Sequence, residues 1–118
     1  MRALDHHKLD VYGRALGLLE KCDRVVDELP SGRSHVRDQI DRAAGSVVAN
    51  IAEGAAEFAP KEKARFYRMA RRSAVEIAAW LDIIRVRSEA PEPLLRAAVE
   101  QVEDVVPMLV KLIGSCER

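Results

Sequence analysis

The sequence predicts an all-α protein: an antiparallel up-down-up-down four-helix bundle in which residues 1–118 form a single domain. Three observations lead there. Four segments repeat apolar residues with a period of about 3.6. Every break between those segments contains Pro or Gly. No run alternates apolar and polar residues as a half-buried strand does, and no internal repeat competes. Four amphipathic helices joined by short links bury their apolar stripes most economically as a bundle.

The first helix is expected from about Lys8 to Leu29, with Val11, Ala15, Leu18, Leu19, Cys22, Val25 and Val26 on its apolar stripe. It stops at "PSGRS", because Pro30 cannot continue the hydrogen-bond ladder and Gly32 relaxes the turn. The second is expected from about His35 to Glu53, buried through Val36, Ile40, Ala43, Ala44, Val47 and Ile51. Ser34 suits its N-cap, where the hydroxyl accepts from an orphan N–H. Gly54 suits the left-handed C-cap position just past its end.

The third is expected from about Pro60 to Arg87, with proline at a first-turn position where the missing N–H costs nothing. Phe66, Ala70, Ile77, Leu81 and Ile84 face inward, and Ala74 and Ala78 allow close approach. The fourth begins near Pro91 or Pro93 and runs to about Ser115 on Leu94, Ala98, Val102, Val105, Leu109, Leu112 and Ile113. A bend is expected at Pro107, which removes one N–H and crowds a carbonyl one turn back.

Composition narrows the function classes. A chain of 118 residues can bury a core without staples. Hydrophobic residues make up 48% and charged residues 32%, a globular rather than a disordered composition. Lys plus Arg and Asp plus Glu number 19 each, so the formal charge is zero. That argues against a chain built wholesale for polyanions while leaving room for a local basic face. No apolar run approaches the ~20 residues of a membrane span, and "MRALDHHKLD" lacks the apolar core of a signal peptide. A cytoplasmic protein is therefore expected. Cys22 and Cys116 fall on apolar faces, where a free thiol behaves as a small hydrophobe. On the expected topology the sulfurs lie about 20 Å apart along the bundle, beyond the ~7 Å between Cα atoms that a disulfide tolerates.

The second helix carries a second stripe. Gln39, Arg42, Ser46, Asn50 and Glu53 recur every three or four residues and so share one flank of the apolar face. Either that flank is solvated, or it is a seam against a neighbouring helix of the same bundle or of another subunit. In a seam, Asn50 and Glu53 must find partners, because polar groups are buried only when bonded. Replacing either, as in Asn50→Leu or Glu53→Ala, is then expected to cost about 1–3 kcal/mol of folding or assembly free energy. Gly45, Ala49 and Ala52 keep the rest of the helix slim.

"SVVANIAEG", residues 46 to 54, resembles the "S-I-P-A-N-I-A-E-G" signature of the four-helix-bundle proteins related to those encoded by intervening sequences in bacterial 23S ribosomal RNA genes. "LDVYGRALGL" (Leu9 to Leu18) resembles that family's opening helix, and "FYRMARRSAVEIAAWL" (Phe66 to Leu81) resembles its "F-L-x-I-A-x-G-S-x-x-E-L" third helix. The resemblance implies a four-helix bundle of about this length that assembles as a ring-shaped homopentamer. The family is also distantly similar to the accessory protein of diversity-generating retroelements, a pentameric bundle that binds nucleic acid and a reverse transcriptase. The family's signature proline is Val48 here, and its glycine before the third-helix serine is Arg72, which must then point outward or pair with an acid. The basic pair that often follows the signature is replaced in "GAAEF".

Two further constellations invite chemistry. Lys61, Arg65, Arg68 and Arg72 fall within about 80° of one another on the third helix, with Arg71 at the edge. Such a face can track phosphates by releasing counterions, or it can be the solvated side of a bundle helix paired with acids such as Glu62 and Glu76. "DHHKLD" brings Asp5, His6, His7 and Asp10 together, yet adjacent histidines on a helix point about 100° apart and make a poor metal pair. None of His6, His7 or His35 has a Glu three residues before it, as di-iron bundles require. There is no phosphate loop, nucleophile elbow or Cys-x-x-Cys. The sequence thus points to a non-catalytic, self-assembling scaffold or interaction protein, a homopentamer on the resemblance, with no metal or cofactor. Its alternative is an RNA- or DNA-binding accessory protein that uses the basic face of the third helix.

Overall fold

Leu18, Ile40, Ile77 and Leu109, one from each apolar segment, are fully buried against one another's neighbours in a single core. Side chains of this kind contribute about 1.5–3 kcal/mol apiece when removed from water. The computed structural model describes residues 4–118. After a short 3-10 turn, Asp5–Lys8, come α1 (Asp10–Glu28), α2 (Ser34–Ala56), α3 (Pro60–Arg87) and α4 (Glu92–Cys116). Each helix packs on two neighbours, in the cycle α1, α2, α3, α4 and back to α1, and among the described residues none approaches its diagonal opposite. The neighbours run antiparallel. Gly54 lies by Tyr67 and Arg42 by Glu76 across α2 and α3, while Arg68 meets Glu117 and Arg85 meets Glu92 at the two ends of α3 and α4. This is the four-helix bundle that the periodicity predicts.

Backbone chemistry sets the ends. Pro30 follows α1, and Gly32 takes a left-handed φ of +90° in the turn that leads to α2. Ser88 ends α3 in the left-handed region at φ 56°, its N–H donating to the Arg85 carbonyl while Glu89 N–H donates to that of Ile84. The two turns at this end are tied together. The Arg33 guanidinium grips the Glu89 carboxylate with its Nε 2.9 Å from both oxygens. Pro107 stands exposed within α4, which continues as one helix on either side of it.

Three local expectations are corrected. Ser34 is the first residue of α2 rather than its cap, because the Arg33 carbonyl already accepts the first helical bond, from Arg37 N–H at 3.0 Å. Gly54 is not a C-cap. The helix runs through it to Ala56, Glu57 closes the end in extended conformation, and Gly54 is buried with no left-handed φ. Its carbonyl and that of Ala55 accept from Lys63 Nζ at 3.2 and 3.0 Å, so a side chain from α3 satisfies groups that a glycine cap would have turned inward. Phe66 is only half-buried. Tyr67 takes the inner place instead, its ring lying over Gly54 where a Cβ would come within 2.6 Å. Both cysteines are free thiols, Cys22 buried in the core and Cys116 half-buried.

Candidate functional site

The polar stripe of α2 faces α3. Helical periodicity places Gln39, Arg42, Ser46, Asn50 and Glu53 on one flank, and antiparallel packing puts Trp80, Glu76 and Ser73 opposite in that order. Arg42 Nη2 donates to Glu76 Oε2 at 2.5 Å and to Gln39 Oε1 at 3.1 Å. Trp80 Nε1 donates to the same Glu76 oxygen at 3.2 Å, and the His35 ring meets the Trp80 ring edge-on at 5.8 Å. The hydrogen bond from Arg42, with a smaller one from Trp80, holds the Glu76 carboxyl below its ordinary range, against the opposing effect of partial burial.

One turn further on, buried Ser73 donates from Oγ to Ser46 Oγ at 2.9 Å. Ser46 also receives Asn50 Nδ2, 2.9 Å from its carbonyl and 3.0 Å from its hydroxyl. Half-buried Asn50 is therefore bonded, though within its own helix, and it reaches α3 only through the serine pair. Glu53 differs. It is exposed and forms no hydrogen bond or ion pair among the described residues, so it takes no part in the α2–α3 seam.

The four cations of α3 are not equivalent. Arg65 is 3.1 Å from Glu62 and lies over the Phe66 ring at 4.5 Å. Arg68 is paired with Glu117 from the end of α4. Lys61 and Arg72 are exposed and, among the described residues, have no acidic partner. Arg72 thus points outward, where the family pattern would place glycine.

Residues that the pattern did not single out hold a second seam, between α1 and α4. Gln101 is almost completely buried; its amide donates to the Arg14 carbonyl at 2.8 Å and accepts from Lys21 Nζ at 2.6 Å. The available signal was Gly17, whose missing Cβ leaves room for the Gln101 amide 2.7 Å away. Near the amino terminus, His6 and His7 pack against Tyr12, tilted and edge-on, with ring centroids 4.5 and 5.7 Å away, instead of converging with carboxylates. Among the described residues no three His, Cys, Asp or Glu side chains are grouped as metal ligands. No described helix is long and apolar enough to cross a membrane. Burial, reinforced by nearby Asp23, pushes the Cys22 thiol up to about 12, which leaves it protonated and unreactive at neutral pH. A depression of about 430 Å³ lies at one end of the α1–α4 interface, between the start of α1 and the end of α4 and apart from Gln101.

A family model described as 23S rRNA-intervening sequence protein matches residues 7–111, from the histidine pair through most of α4. The chain belongs to that family. No curated protein matches it. In this member of the family the stretch "SVVANIAEG" forms the α2 side of the α2–α3 seam: Ser46 and Asn50 supply the polar bonds, Val47 and Ile51 the core, and Gly54 the space for Tyr67. The family's third-helix serine corresponds to Ser73, the α3 half of the same hydrogen bond.

Proposed function

We propose that this protein is a non-catalytic interaction module that works by associating with copies of itself, the homopentameric ring being the assembly that its family resemblance implies. The observation that carries this is the apolar surface the bundle leaves uncovered. Leu16 is 43% exposed on α1, Val75 53% on α3, Val110 49% on α4, and Phe58 97% in the turn between α2 and α3. The chemistry of the polar groups supports the non-catalytic part. Arg42, Glu76, Ser46, Ser73 and Gln101 are engaged in holding helices together, and the core thiol is protonated.

Light scattering on the full chain at micromolar concentration tests the assembly. A mass several times 13.1 kDa is expected, and a monomer at every concentration would overturn the proposal. The nucleic-acid alternative draws on Lys61, Arg65, Arg68 and Arg72, of which Arg65 and Arg68 are engaged by acids of the chain itself. An Arg65→Glu, Arg68→Glu pair should leave retention of RNA or DNA at low salt unchanged if that alternative is wrong. A salt-sensitive loss would favour it.

A further inference from the structure

Antiparallel packing leaves α4 longer than α1 at one end of the bundle. Arg14 pairs with Asp104, and Gln101 fills the space over Gly17. That register sets Asp10, the first residue of α1, roughly opposite Met108. α4 runs on to Cys116, about 12 Å further. The 3-10 turn before α1 packs on α1 and α2 and, among the described residues, not on α4. The last two turns of α4 are therefore open on their α1 side, and the depression of about 430 Å³ occupies that space.

Its lining is divided by polarity. Val11, only 2% exposed, forms the floor with half-buried Leu9, Met108 and Leu112. Lys8 and Lys111 stand exposed at the rim, joined by Arg118, and Asp10 is the one acid that lines it. Lys111 forms no ion pair among the described residues. Lys8 has only a 4.0 Å contact with Asp5, in which both side chains are largely exposed. Such a pair is worth little and leaves the ammonium available.

An apolar floor beneath unpaired cations selects a ligand with an apolar body and one anionic head. A carboxylate head gains charge-assisted hydrogen bonds from the lysines, whereas an ammonium head would meet like charge. The volume falls within the ~300–1,000 Å³ of small-molecule sites. A nucleic-acid backbone would leave the floor unfilled and find too short a row of cations.

We propose that this groove binds a small amphipathic anion, an unbranched aliphatic carboxylate. Its chain lies along the floor and its head sits between Lys8 and Lys111. The occupant is the free molecule and not a membrane surface, because the floor is recessed between two helices, out of reach of a flat bilayer face. The proposal goes beyond the self-association put forward above and does not require it.

Calorimetric titration of the full-length chain with hexanoate, octanoate and decanoate, each below micelle formation, tests this. One carboxylate per chain should bind saturably, tightening ~2–4-fold with each CH₂ that reaches the floor. Octan-1-ol, which keeps the chain and lacks the charge, should bind more weakly than octanoate. Lys8→Glu/Lys111→Glu should weaken decanoate binding at least ~10-fold. Lys61→Glu/Arg72→Glu, the same change of net charge placed on α3, should leave it unchanged. The methyl resonance of Met108 should shift on addition of decanoate. Circular dichroism verifies the fold, and Lys8→Gln/Lys111→Gln, with a smaller shift in the same direction, replaces a reversal variant that does not fold.

Decanoate that does not bind saturably would overturn the proposal. Equal weakening by the α3 variant, or a Met108 resonance that stays in place, would put the carboxylate elsewhere and refute the site. Octan-1-ol binding as tightly as octanoate would refute the anionic class. Retention on phosphatidylglycerol vesicles without binding of free decanoate would assign the groove to a lipid surface, against the proposal.

Discussion

Gly54 concentrates the packing problem of the α2–α3 seam into one missing methyl group. A Cβ there would lie 2.6 and 2.9 Å from two carbons of the Tyr67 ring and 3.2 Å from Phe66 Cβ, and the ring is held in the core with 3% of its surface exposed. Alanine gains about 1 kcal/mol of helix propensity over glycine, but overpacking a core that cannot yield costs about 1–3 kcal/mol. Gly54→Ala is therefore expected to be destabilising by up to about 2 kcal/mol in urea unfolding. Gly45 has nothing within 4 Å of a Cβ position, so Gly45→Ala should instead stabilise by about 0.5–1 kcal/mol. Equal effects at the two sites would show that the Tyr67 contact does not constrain the helix. Exposure separates the polar residues in the same way. Glu53→Ala should change stability by no more than ~0.5 kcal/mol, and Asn50→Leu by less than the full cost of an orphaned group, since Ser46 keeps Ser73.

Among the elements, the end of α2 and the middle of the α2–α3 seam depend on side chains from α3. Lys63 donates to two terminal carbonyls of α2, both half-enclosed, so Lys63→Met should lower stability by about 1–2 kcal/mol through loss of charge-assisted bonds. Amide hydrogen exchange should quicken first in the last turn of α2, and an effect spread evenly over the four helices would contradict this. In the seam, Arg42→Ala removes the main cause of the lowered Glu76 carboxyl, which should then titrate nearer its ordinary value by NMR. The pair is partly solvent-exposed, so its loss should cost only ~0.2–1 kcal/mol. Trp80, the single tryptophan and a second donor to Glu76, provides a fluorescence reporter of the same change.

For the whole molecule, the ion pairs determine how the fold responds to acid. Glu76, Glu89 and Glu92 are all held below the ordinary carboxylate range by hydrogen bonds from Arg42, Arg33 and Arg85 respectively. A depressed folded-state value means that their contribution is full above the unfolded carboxylate value of about 4.3 and disappears as the pH falls through the lowered ones. Asp23 has the opposite sign: burial and the neighbouring Asp41 and Asp27 raise its value, which weakens the isolated bundle at neutral pH, and protonation relieves it. Stability followed by circular dichroism should consequently fall on acidification below the ordinary carboxylate range. Asp23→Asn should be neutral to slightly stabilising in the dissociated chain at pH 7, an advantage that vanishes in acid. A destabilising Asp23→Asn in the monomer would contradict the crowding on the α1–α2 face.

The four helices, their approximate limits and their buried stripes were legible in the sequence because apolar periodicity and the Pro and Gly breaks are local properties of the chain. The polar stripe of α2 was legible as a stripe for the same reason, as were the motifs of the family. Tertiary structure decided what the stripe touches. Ser46 and Arg42 find Ser73 and Glu76 on another helix, whereas Glu53, on the same flank, reaches solvent. It also decided that Gly54 gives room to Tyr67 instead of ending a helix, that Lys63 supplies the cap, and that Gln101 fills the space over Gly17. Each of these depends on which residue of a distant segment comes alongside, and periodicity within one helix carries no information about that axial register.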